Sequence, residues 1–170
     1  MQSLLTLSAV TVSGSGMLLL EGCPVSQSQL AQLVAEVGTG LSGVLPYIKS
    51  VSAMVATQIQ STFSALETAV QAWKPGTVIA DVEQAVNAFV ANMALIPVLG
   101  AYQPLVALIV ATAEGIITLL IPNPAPQTSA VRAMATRAAS QYPHPPRTAG
   151  QFKRKYNSVA KANNLPVSID

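Results

Sequence analysis

Charge is what this chain has least of. Only 9% of its 170 residues are Asp, Glu, Lys or Arg, against about 25% in an average soluble protein. With 51% hydrophobic residues, the composition excludes intrinsic disorder, which goes with low hydrophobicity and high charge. Cysteine and histidine occur once each, as Cys23 and His144. A lone cysteine forms no internal disulfide, so stability must come from packing. His144, set between Pro143 and Pro145, cannot build a zinc site or a catalytic triad with Cys23. Gly14-Ser15-Gly16 lacks the downstream spacing of a phosphate-binding loop, and no serine sits in a nucleophile elbow. Aromatic residues make up 5%, and no repeat of fixed period is present. No catalytic residue, metal site or cofactor is expected, and the chain reads as a non-enzyme.

The few charges are unevenly placed. Residues 1–130 carry Lys49 and Lys74 against Glu21, Glu36, Glu67, Asp81, Glu83 and Glu114. Residues 131–170 carry Arg132, Arg137, Arg147, Lys153, Arg154, Lys155 and Lys161 against Asp170 alone. Such asymmetry points to an anionic partner for the C-terminal part, with lipid or protein favoured over nucleic acid.

Apolar residues recur at helical spacing through most of the chain. Leu30, Leu33, Val34, Val37, Leu41, Val44 and Leu45 form one stripe, opened by Ser26 or Ser28 as cap. Gly38, Gly40 and Gly43 lie in it and predict a bend or the close approach of another backbone. Pro46 predicts the end of this helix or a kink in it. A second stripe runs from Ile48 to Trp73, and Lys74-Pro75-Gly76 closes it as a turn. Thr77 is expected to cap a third helix, with Asp81 and Glu83 near its positive end. Pro104 fits the first turn of a fourth helix, which is apolar on all sides to Ile121 except at Glu114. Seventeen such residues reach the lower limit of a bilayer span, roughly 17–25. The central helix of a bundle is the favoured reading and a membrane span the alternative. Glu114 is then a candidate buried carboxylate, its pKa raised by desolvation; a carboxylate at the bundle surface or hydrogen-bonded to a Thr or backbone group is the plainer reading.

Residues 122–128 form a stiff proline-rich linker. Beyond it, Ser129 opens a short helix, and Thr148 with Gln151 forms a capping box for a helix bearing Phe152, Tyr156 and Val159 on one side. Lys153, Arg154, Lys155 and Lys161 lie elsewhere on it and are the candidate contacts for an anionic partner. Whether this basic segment folds back on the bundle stays open, as does a simple pinning role for Phe152 and Tyr156.

The N-terminus supplies a different signal. An apolar stretch, Leu4 to Leu20, leads to Leu20-Glu21-Gly22-Cys23. A leucine three places before a cysteine, with a small residue just before it, resembles a lipobox. Glu21 stands where a small or apolar residue is usual, and Met1-Gln2-Ser3 lacks the basic start of an export signal. With its Ala- and Ser-rich style, the chain resembles small lipoproteins of bacteria and their prophages. That resemblance implies a signal segment over 1–22, lipidation of Cys23, and attachment to a membrane of the cell envelope.

The expectations are therefore an all-α protein: a bundle of about four helices over 23–121, the linker over 122–128, and a basic helical tail over 129–170. The expected function is contact or assembly by a membrane-tethered, structural protein, modifying an envelope or carried in a virion. The alternatives are a membrane-inserted pore or holin type with a span at 105–121, and a soluble structural subunit of a homo-oligomer.

Overall fold

The computed structural model describes residues 25–97, 99–120 and 129–170. Cys23, the segment 1–22 expected to be a signal and the expected linker over 122–128 lie outside the described residues. What is described is all-α, with six α-helices, one 3-10 turn and no strand.

Helix α1, Gln27–Val51, opens with a reciprocal capping box. The Gln29 N–H donates to Ser26 Oγ at 3.2 Å, and the Ser26 N–H donates to Gln29 Oε1 at 3.2 Å. Of the two candidate caps, Ser26 is the one used. Pro46 neither ends nor splits this helix, which runs on to Val51. Pro46 and Ser42, one turn earlier, both lie exposed, where water can pair with the carbonyl that proline leaves without a donor. Ser52 is the actual boundary: its N–H bonds the Ile48 carbonyl, and its hydroxyl accepts from the Val55 N–H to open α2, Ala53–Ala72.

The loop to α3, Ala80–Met93, corrects a second expectation. Thr77 does not cap that helix. Its hydroxyl donates to the Lys74 carbonyl at 2.7 Å and accepts from the Lys74 N–H, closing the Lys74–Thr77 turn instead. Ile79 holds the N-cap position without a side-chain bond, and Val78, just before it, is 84% exposed. Asp81 and Glu83 sit in the first turn, where the helix dipole favours them.

After a short 3-10 turn, α4 (Gln103–Leu120) runs through the middle of the molecule and packs on α1, α3, α5 and α6. Every residue from Leu105 to Ala113 is buried, as are Gly115, Ile116 and Ile117. Thr112, the one polar side chain among them, donates its hydroxyl back to the Leu108 carbonyl at 2.7 Å and is satisfied without a partner helix. This helix is long and apolar enough to cross a membrane by length and composition, yet its surroundings are other helices.

The segment beyond the linker folds back. Helices α5 (Ser129–Gln141) and α6 (Ala149–Ala162) join the same core, through Ala138, Tyr142, Phe152, Tyr156, Ala160 and Ile169. The glycines of α1 explain how α6 comes so close. A Cβ on Gly40 would stand 3.0 Å from ring atoms of both Phe152 and Tyr156, and one on Gly43 would stand 2.7 Å from the Tyr156 hydroxyl. The close approach predicted at these glycines is thus made by two aromatic rings, not by backbone. Tyr156 completes the seat by donating to the Gly40 carbonyl at 3.0 Å.

Helix α6 ends in a Schellman motif. Asn164 takes a positive φ of 52°, the Asn164 N–H bonds the Lys161 carbonyl, and the Leu165 N–H bonds the Ala160 carbonyl. The extended end then doubles back. The Asn157 amide pairs with both backbone groups of Ile169, each at 2.8 Å, and the Ile169 side chain is buried.

Candidate functional site

A concavity lies where the proline-rich loop between α5 and α6 meets α6. It is a cleft of about 610 Å³ whose walls include Pro143, Pro145, Pro146 and Val159, with Arg147, Arg154, Lys155 and His144 along it. The local sequence dictates this shape. Proline removes backbone donors and holds the chain extended, so residues 143–146 form a low wall, and α6 starts directly beyond it. Thr148 caps α6 by accepting from the Gln151 N–H at 3.3 Å. The expected capping box is only half made, because Gln151 Oε1 accepts from the Arg147 N–H at 2.9 Å instead of from Thr148. That longer reach ties the Arg147 backbone to the first turn of α6, and Arg147 and Arg154 line the same cleft.

Lys155 is held from the other side. Its Nζ lies 5.1 Å from the centroid of the Tyr142 ring, within the range of a cation–π contact. Tyr142 is buried and donates its hydroxyl to the Pro104 carbonyl at 3.0 Å, which anchors the end of α5 to the start of α4. Burial raises the pKa of Tyr142. It does the same to Tyr156, pushing it from 10.0 to about 12, so both hydroxyls stay protonated as donors. No ion pair joins Arg147, Arg154 or Lys155 to a carboxylate of the described residues. Beyond residue 120 the sequence offers only Asp170.

The structure thus brings together two of the four basic residues singled out on α6. Arg154 and Lys155 line the cleft, while Lys153 and Lys161 do not. Arg147, Gln151 and Ser158 also line it and were not readable as site residues. The signal for Arg147 was its place just after the proline run, seven residues before Arg154.

Glu114 sits at a neighbouring hollow of about 340 Å³, lined also by Gly115, Tyr142, Pro145 and Arg147. It is half-buried, unlike the residues on either side of it. Pro145 fills the space beside Gly115, where a Cβ would lie 3.2 Å from the ring. Arg147 therefore borders both hollows. Among the described residues, no three His, Cys, Asp or Glu side chains come together. Cys23 stands outside the described residues, two positions before the first of them.

No protein-family model, curated protein or solved structure matches the chain.

Proposed function

We propose that the protein is a non-enzymatic helical module, tethered to a membrane by lipidated Cys23, that acts by contact at a cell envelope or in a phage particle. The observation that carries this reading is the capping box at Ser26, three residues after Cys23. Cleavage before Cys23 would leave α1 and its first buried residue, Leu30, intact. A tether there would join a rigid body with almost no slack. In this reading α1–α4 form the bundle and α5–α6 a basic layer laid against it. The burial of α4 by four neighbouring helices supports a core role for it and weighs against a bilayer span at 105–121.

A second reading, assembly with further copies, draws on the exposed apolar side chains Val51 (54% exposed), Met54 (68%) and Leu95 (58%). They fall around the turn between α1 and α2 and just after α3.

Intact mass of the full chain, produced in a bacterium and recovered with its membranes, tests the tether. The expected result is loss of residues 1–22 and the gain of a lipid mass on Cys23. An unmodified chain beginning at Met1 overturns it. Native mass of the same preparation tests assembly, and a monomer counts against the second reading.

A further inference from the structure

We propose that the cleft between the 143–147 loop and α6 binds the phosphate of an anionic phospholipid headgroup, so that the basic face of the protein lies against the membrane that holds its tether. The proposal rests on the tethered reading above and adds the second point of attachment that reading lacks. A single acyl anchor gives only marginal, reversible binding, and stable attachment takes two signals, one of which can be a basic patch.

Three features of the cleft fit this ligand. Arg147, Arg154 and Lys155 supply three cations with no carboxylate of the described residues paired to them, and a guanidinium matches phosphate oxygens with two parallel N–H donors. The cleft also has aliphatic lining, from Pro143 and Pro145 of the loop and Val159 of α6, which suits the glycerol and upper acyl carbons beside a headgroup phosphate. Finally, the aromatic rings that would serve as stacking platforms for bases are turned inward. Phe152 and Tyr156 are 0% and 1% exposed, and Tyr142 is buried beneath Lys155. A single-stranded nucleic acid site needs such rings on its surface, so the charges here serve an anion without bases.

The test uses the full chain carrying Cys23→Ser, so that no acyl chain contributes, in co-sedimentation with vesicles. Binding is expected to phosphatidylcholine vesicles containing phosphatidylglycerol and not to pure phosphatidylcholine. Each basic residue near an anionic surface contributes roughly a fivefold gain in partitioning. The triple variant Arg147→Gln, Arg154→Gln, Lys155→Gln should therefore lose on the order of 100-fold. The double variant Lys153→Gln, Lys161→Gln, whose residues do not line the cleft, should lose less than about tenfold. Circular dichroism checks that each variant keeps its helices. If the triple variant does not, the single variant Arg154→Gln, at an exposed position, should still lose about fivefold.

No binding to phosphatidylglycerol vesicles overturns the proposal, as does equal loss in the cleft and control variants. Saturable binding of inorganic phosphate alone, abolished by the triple variant and not strengthened by vesicles, would assign the cleft to free phosphate instead. Tighter binding to a single-stranded oligonucleotide or to polyglutamate would assign it to those partners. The two readings fail separately. An unmodified Cys23 with intact vesicle binding sinks the tether alone, and a lipidated Cys23 with no vesicle binding in the Cys23→Ser chain sinks the cleft alone.

Discussion

Helices α4 and α6 both pack on α1, and they do so by different physics. Helix α4 is held by area: from Leu105 to Ile117 only Glu114 escapes burial, and its one buried hydroxyl bonds its own helix. Helix α6 is held by shape. Only Phe152, Tyr156 and Ala160 are buried, and two of these insert into a notch that glycines leave in α1. One buried hydrogen bond, from Tyr156 to Gly40, fixes the depth. The difference teaches how a chain with few charges keeps a cationic face. Everything on α6 that needs burial is concentrated in two rings, which frees its other faces for Arg154, Lys155 and Lys161.

The comparison breaks first at α4. Ile109→Ala should remove about 2–5 kcal/mol, the range for a fully buried aliphatic side chain. Denaturant melts would show a lower midpoint at unchanged slope, because the whole molecule loses stability together.

The next largest effect sharpens the role of shape. In an exposed helix interior, Gly→Ala gains roughly 1 kcal/mol. At Gly150 the new Cβ would meet only Arg154 Nη1, at 3.6 Å, so Gly150→Ala should stabilise or be neutral. At Gly40 the Cβ would press on two rings at 3.0 Å. Gly40→Ala should therefore forfeit that gain, and Gly40→Val should destabilise by about 1–3 kcal/mol through overpacking. A stabilised Gly40→Val would show that α6 does not seat there.

Tyr156→Phe is the smallest of the three. It deletes the bond to the Gly40 carbonyl and should cost about 0.5–1.5 kcal/mol near neutral pH. It also has a pH signature. Burial raises the Tyr156 pKa from 10.0 to about 12, so the folded state holds its proton longer than the unfolded chain. The stabilisation is complete below about pH 10 and is lost as pH rises through about 12. Stability of Tyr156→Phe should fall less steeply across that window, and parallel curves would deny the burial.

Much of α4 and α1 was readable in advance because both are local patterns. The run from Leu105 to Ile117, Glu114 apart, and the stripe from Leu30 to Val44 are buried as their spacing requires, and Ser26 was one of the two caps the sequence offered. Pro46 does not end α1, because a proline at an exposed position leaves its orphaned carbonyl within reach of water. Thr77 misled because a hydroxyl between a lysine–proline–glycine turn and a helix can serve either, and it serves the turn. The glycine notch was visible as an anomaly, but its occupant lies 116 residues away in Tyr156. The cleft was half readable. Arg154 and Lys155 stood out as charges, whereas Arg147, before the helix begins, joins them only through the shape of the cleft.

Native-state hydrogen exchange compares α6 with α4 most directly. If the rings of Phe152 and Tyr156 seat α6 in the shared core, amides from Tyr156 to Ala160 should open with a free energy within about 2 kcal/mol of the α4 core amides. Gly40→Val should lower the α6 value first. Exchange of α6 near the unprotected rate, beside a fully protected α4, would contradict the account and make the C-terminal segment a free tail.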